Sequence, residues 1–256
     1  FHSEGNIKKA AQYYKYFLEE GFTDPRVYSN YGDILKEVGK LDEAEELTRK
    51  GIELNPNFSI AHFNLGNILK ELGKLQEAEL SVRKAIELNP DFADAHLNLG
   101  NILEERGKPQ EAEVSARKAI ELKPDFAKGY FNLGSISSNL GNIKEAEIAT
   151  RKAIQLNPNF ADAHSHLGII LRDFGKLQEA ELSTRKAIEL KPDFAEAHYN
   201  LGGMLKNLGD SQEAKNQWIK AIELEPNLTK AVEQLARALY FDQEYELAIK
   251  YLRESK

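Results

Sequence analysis

Four histidines, His62, His96, His164 and His198, stand at the same phase of a 34-residue spacing in this 256-residue chain. Imidazole is a common metal ligand, so a metal site is the first chemistry to weigh. Ligands must all come within about 2 Å of one ion. Side chains on packed helices one repeat apart start roughly 8–10 Å from each other, so equivalent histidines of neighbouring repeats do not converge. His164 and His166 are two residues apart and point to different faces of a helix. No metal site is expected; the histidines read instead as packing residues. The chain has no cysteine, which excludes disulfides, thiolate metal sites and a cysteine nucleophile.

Nucleophilic catalysis needs a nucleophile, a base and an orienting group gathered in one pocket. Here Ser, His and Asp recur singly by phase, and the glycines fall at helix ends and crossings, with no glycine-rich phosphate loop. No catalytic residue and no cofactor are expected within the chain. The pairs Arg49-Lys50, Arg83-Lys84, Arg117-Lys118, Arg151-Lys152 and Arg185-Lys186 suggest a basic strip for nucleic acid. Yet Glu45, Glu79, Glu113, Glu147 and Glu181 each stand four residues before the arginine. That is the favourable helical order, worth about 0.2–0.5 kcal/mol per pair, so solvated ion pairs are expected there and no nucleic-acid partner. Asn57-Phe58-Ser59 and Asn227-Leu228-Thr229 match a glycosylation sequon by chance.

A column of asparagines is more informative. Asn30, Asn64, Asn98, Asn132 and Asn200 share one phase, and Asp33, Asn67 and Asn101 follow three residues on in the first units. A side-chain amide both donates and accepts, so it holds a peptide backbone whatever the peptide's sequence. Phe131 and Tyr199, each just before a column asparagine, offer aromatic contacts. The column has two readings: a ladder for an extended guest, or a set of local caps. His166 interrupts it, Gln234 ends it, and Ile169 and Gly203 remove polar partners. The polar face is therefore expected to be strongest from Pro25 to Phe126.

The elements that carry these residues follow from the repeat itself. Asn-Leu-Gly recurs at residues 64–66, 98–100, 132–134 and 200–202, with Asn30-Tyr31-Gly32 and His166-Leu167-Gly168 at the remaining places. Pro56, Pro90, Pro124, Pro158, Pro192 and Pro226 keep the same clock, as do glycines from Gly5 through Gly39 and Gly73 to Gly209. Within one unit, Ala61, Leu65, Ile68, Leu69 and Leu72 form a stripe at helical spacing. Gly73 stops that helix, since glycine accepts the left-handed conformation at a C-cap. Leu75, Ala78, Val82, Ala85, Ile86 and Leu88 form a second stripe, ended by Pro90. Asp91 and its equivalents Asn57, Asp125, Asn159, Asp193 and Asn227 are expected to cap the next first helix. Gly66 and Ala78 mark where the two helices cross. The reading is all-α: residues 1–24 as the second half of a preceding unit, six full units (25–58, 59–92, 93–126, 127–160, 161–194 and 195–228), and a partial one at 229–256. Two such helices cannot bury both stripes against each other alone, so units must stack.

Leu65, Gly66, Ala78, Ala85 and Pro90, repeating every 34 residues, resemble the tetratricopeptide repeat over essentially the whole chain. The resemblance implies a right-handed superhelical solenoid of antiparallel helix pairs, first helices lining a concave groove and second helices forming the convex back. It also implies that position 6 of each unit, the asparagine column, faces the groove. The column is similar to the asparagine ladder in the repeat domain of O-linked N-acetylglucosamine transferases. The chain departs from the family where histidine replaces the aromatic of position 4, and where position 24 holds Thr48, Val82, Ala116, Thr150 or Thr184. The second departure bears on superhelical pitch. The family's carboxylate clamp needs lysine at position 5, where this chain has Ser29, Phe63, Leu97, Phe131, Ser165, Tyr199 and Glu233; that clamp is absent.

The chain is 41% hydrophobic and 29% charged, with a formal net charge of −7, and its apolar runs are too short to span a bilayer. No membrane association is expected. It opens at Phe1 with no signal peptide, so it reads as a piece of a longer cytoplasmic protein. Both ends are aromatic: Tyr13, Tyr14, Tyr16, Phe17 and Phe22 at one, Tyr240, Phe241, Tyr245 and Tyr251 at the other. If exposed, they suit self-association. The expected function is a protein-interaction scaffold that holds a peptide or protein segment in its groove. The alternative is the substrate-recognition arm of a larger glycosyltransferase or sulfotransferase.

Overall fold

A computed structural model describes residues 7–254; Phe1 and Gly5 lie outside the described residues. Among these, fifteen α-helices and no strand are present. The helices are α1 (Ile7–Glu19), α2 (Pro25–Glu37), α3 (Leu41–Leu54), α4 (Ser59–Glu71), α5 (Leu75–Leu88), α6 (Ala93–Glu105), α7 (Pro109–Leu122) and α8 (Ala127–Asn139). They continue as α9 (Ile143–Leu156), α10 (Ala161–Asp173), α11 (Leu177–Leu190), α12 (Ala195–Leu208), α13 (Ser211–Leu224), α14 (Thr229–Phe241) and α15 (Tyr245–Glu254). The chain divides into two compact units, residues 1–132 and 133–256.

Each hairpin turns on the glycine of its loop. Gly39, Gly73, Gly107, Gly141, Gly175 and Gly209 have φ between +71° and +93°. This left-handed residue lets the next amide reach back: Gly73 N donates to Lys70 O at 2.9 Å and Lys74 N to Leu69 O at 2.8 Å. Two otherwise unpaired carbonyls at the helix end are satisfied that way. In the last hairpin the place falls to Gln243, at φ +64° without glycine's freedom.

The other turn differs from expectation. The N-cap residues of α4, α6, α10, α12 and α14 are Phe58, Phe92, Phe160, Phe194 and Leu228, none with a side-chain cap hydrogen bond. Asp91 and its equivalents sit one residue too early to cap. The turn residue before each proline closes on the cap, as in Phe92 N to Asn89 O at 3.2 Å, and the apolar residue at the cap packs inward; Phe63 and Phe92 rings lie 4.8 Å apart. Side-chain caps occur where Asp24 accepts from Arg26 N and Asp210 from Glu213 N.

In the first unit, α2 pairs with α3, α4 with α5 and α6 with α7. The first helices also touch in sequence, α2 on α4 and α4 on α6. They therefore occupy the inner side of this unit's stack. Ile34, Ile68, Leu69, Ile102 and Leu103 are buried along the seam with Ala44, Ala78 and Ala112; each large aliphatic so buried contributes about 1.5–3 kcal/mol. In the second unit, Leu201, Leu205, Ala214 and Trp218 form one cluster with Leu235, Ala236, Leu239 and Ala248, and Leu167, Leu171 and Ala180 form another with Met204.

The helix crossings are set by the residue at position 24 more than by Ala78. A Cβ on Gly66 would strike the Val82 side chain, and one on Gly32, Gly134 or Gly168 the hydroxyl of Thr48, Thr150 or Thr184, whereas the Ala78 carbonyl lies 3.4 Å from the same point at Gly66.

Candidate functional site

On the inner side of the first unit, the asparagine column is built into the seams between repeats. Asn64, Asn98 and Asn132 are only 6–8% exposed. Asn98 Nδ2 donates to Asn67 Oδ1 at 2.6 Å, and Asn132 Nδ2 donates to Asn101 Oδ1. Each bond runs from position 6 of one unit to position 9 of the unit before. Asn64 has no asparagine to reach, because Asp33 stands at that place and is engaged by Lys36 at 3.1 Å. Its amide instead donates to Ser29 Oγ at 3.0 Å. Asn30, half-buried, lies 3.5 Å from the Tyr14 hydroxyl.

These bonds orient the second column. An Asn67 or Asn101 carbonyl held by a neighbour turns its own Nδ2 donors away from that neighbour, and among the described residues no hydrogen bond engages them. Both residues are half-buried, so the donors are reachable. Phe63, Leu97 and Phe131 at position 5 are half-buried beside them. The face thus alternates amide donors with apolar side chains. The sequence signalled the amides but not this division of labour, in which position 6 braces and position 9 is presented.

Tyr199 and Asn200 belong to the second unit. Tyr199 O accepts from Trp218 Nε1 at 3.2 Å, and Lys230 Nζ stands 4.9 Å above its ring. Asn200 is 6% exposed, and among the described residues its Nδ2 has no partner, since Ile169 occupies the place of Asn67 and Asn101. His166, at the column's break, is held below the ordinary imidazole value by burial; its Nδ1 lies 3.3 Å from Thr150 Oγ1.

The position-4 histidines have a role that the spacing did not reveal. His62, His96 and His164 each place Nε2 2.9 Å from the carbonyl of Pro56, Pro90 and Pro158, and His198 stands 3.1 Å from that of Pro192. A carbonyl only accepts, so Nε2 carries the proton. The ring latches the turn that delivers its own helix. Among the described residues no group of three or more His, Cys, Asp or Glu gathers to hold a metal ion.

Ion pairs cover the second helices and also join repeats. Arg49 bonds Glu45 in its own helix and Glu77 in the next unit. Glu79, its side chain 9% exposed, meets Arg83, Arg106 and Lys108. In the last link the signs reverse, with Lys215 held by Asp242 at 2.7 Å and Glu244 at 3.2 Å. The ends keep exposed aromatics: Tyr13, Tyr16 and Phe22 are 54–59% exposed, and Tyr240 and Phe241 are 62% and 79% exposed. Among the described residues no helix is long and apolar enough to cross a membrane.

Comparison with known proteins agrees with this geometry. Patterns described as tetratricopeptide repeat match residues 25–58, 47–79, 93–126, 127–160, 149–181 and 184–216, and one described as TPR repeat matches 66–107. No curated protein sequence matches. Among solved structures, YrrB, described as a TPR protein with an unusual peptide-binding site, is 27% identical. The match covers 74% of this chain and 98% of that one, with a TM-score of 0.57. MamA is 28% identical over 65% of this chain and 97% of its own, with a TM-score of 0.56. The APC/C hetero-tetramer Cut9–Hcn1 shares the fold at 18% identity, covering 93% of this chain and 47% of that one, with a TM-score of 0.84. With helix pair following helix pair and the family pattern recurring along it, the chain belongs to the tetratricopeptide repeat family.

Proposed function

We infer that the protein is an interaction scaffold whose first unit holds an extended peptide or protein segment along its inner side. The observation that carries this reading is the pair of bonds from Asn98 to Asn67 and from Asn132 to Asn101, which leaves oriented, unengaged donors one repeat apart. Extended backbone carbonyls are suited to such donors, and Phe63, Leu97 and Phe131 offer apolar contact to alternate side chains. Asn30, Asp33 and Asn64 extend the polar face toward α1. Similarity to a TPR protein described as having a peptide-binding site supports the same reading.

Peptides selected from a random library on the intact protein test it. Replacing Asn67 and Asn101 with alanine should weaken every selected peptide by a similar factor, about tenfold for two hydrogen bonds. Unchanged affinity, or a loss confined to one peptide sequence, would refute it.

The exposed aromatics of α14 and α15 favour a second reading. Tyr240, Tyr245, Ile249 and Leu252 line an apolar groove of about 600 Å³, suited to self-association. Light scattering over a concentration series tests it, a constant monomer mass being the negative result.

A further inference from the structure

The second unit departs from the first at three places that converge on one cavity. Its volume is about 270 Å³, and its lining includes Arg172, Tyr199, Asn200, Gly203, Lys206 and Gln234. In the first unit the lysines of position 12 are neutralised: Lys36 by Asp33 of position 9 at 3.1 Å, and Lys70 by Glu105 of the following unit at 2.9 Å. Lys206 holds the same position, but Gly203 stands where Asp33 does and Phe241 where Glu105 does. Its ammonium has no carboxylate partner among the described residues. The third departure is Ile169, which deprives Asn200 of the acceptor that Asn98 and Asn132 have. The Asn200 amide is left buried, with Nδ2 unpaired, and Asn200 and Gly203 both line the cavity; a Cβ on Gly203 would meet nothing within 4 Å.

We propose that this cavity is a carboxylate subsite, which takes the side chain of an aspartate or glutamate in a guest peptide. The inference rests on reading the protein as a peptide-holding scaffold. Lys206 supplies the charge, while Asn200 Nδ2 and the half-buried Gln234 amide supply donors. Arg172 stands at the rim with its Nε and Nη2 already on Asp173, at 3.0 and 2.9 Å; Lys230 is taken by Glu196 at 2.7 Å. The uncompensated charge is therefore that of one ammonium, which matches a monoanionic carboxylate and not a dianionic phosphate. The volume lies below that of pockets for drug-sized ligands and is of the order of a side chain. An unmade hydrogen bond at a buried amide is costly, and a carboxylate oxygen makes it.

The test is a titration of the intact protein, followed through the side-chain amide resonances of Asn200. Acetyl-Ala-Glu-Ala-amide should shift them saturably, and acetyl-Ala-Gln-Ala-amide should not. Lys206→Gln should weaken the response about tenfold, the loss of one charge-assisted hydrogen bond, with the melting temperature unchanged. An equal response to both peptides, no response, or tighter binding of inorganic phosphate overturns the proposal. So does a response restricted to acetyl-Ala-Ala-Ala with a free C-terminus. If Asn200 stays unmoved while library peptides still depend on Asn67 and Asn101, the subsite falls and the scaffold reading stands. If Asn200 responds while Asn67 and Asn101 prove dispensable, it is the reading of the first unit that falls.

Discussion

Gly202 lies against the indole of Trp218: a Cβ on it would come within 2.6 Å of Cδ1 and 2.9 Å of Cε2. Its neighbour Gly203 faces open space in the same helix. Gly202→Ala should destabilise the protein by about 1–3 kcal/mol through overpacking. Gly203→Ala should stabilise it by up to about 1 kcal/mol, since alanine is the better helix former. Denaturation midpoints of the two variants, adjacent in sequence, should move in opposite directions.

Gln243 occupies the left-handed turn position that glycine holds in the other hairpins. A residue with a Cβ pays about 1–2 kcal/mol there. Gln243→Gly should therefore strengthen the α14–α15 hairpin by about 1 kcal/mol, read as slower amide exchange in α15. Faster exchange would contradict the strain.

Lys215 is buried against Asp242 and Glu244, whose carboxylates hold its ammonium above the ordinary lysine value. Lys215→Glu puts three carboxylates together and should cost about 1–3 kcal/mol, less than a fully buried pair because both acids are half-exposed. The triple variant with Asp242→Lys and Glu244→Lys restores the polarity of the preceding repeats and should recover most of the loss, measured by exchange in α14.

His166 has its folded value lowered by burial. Between that value and the unfolded one near 6.5, the unfolded chain binds more protons, so stability falls as pH drops through this window. His166→Asn should flatten the slope of stability below about pH 6.5. At lower pH the carboxylates take over, among them Glu45, which its hydrogen bond from Lys74 holds below the ordinary range. An unaltered slope in the variant would assign the pH response elsewhere.

His96→Phe removes the bond to the Pro90 carbonyl while keeping a ring at that place. The expected cost is about 0.5–1.5 kcal/mol, seen as a lower denaturation midpoint. No change would mean that the ring serves packing alone.

The amino-acid sequence by itself determined the hairpin. Helical stripes, a glycine at each loop and a proline at each return are local signals, and each first helix begins at the residue where the 34-residue count restarts, from Pro25 to Thr229. The Glu-to-Arg pairs within one helix, such as Glu45 with Arg49, were equally local. What lay between repeats was decided only in three dimensions. Asn98 and Asn67 are 31 residues apart in sequence, and which amide is braced and which presented depends on how deeply stacking buries each. Asp91 failed to cap because a one-residue offset in the turn leaves it just short of the cap position, which Phe92 takes. What Asn200 and Lys206 lack at their cavity traces to residues in three separate helices, Ile169, Gly203 and Phe241. Such absences acquire meaning only once packing shows which partners they would have served, because hydrogen bonds and ion pairs act over a few ångströms of space and not over intervals of sequence.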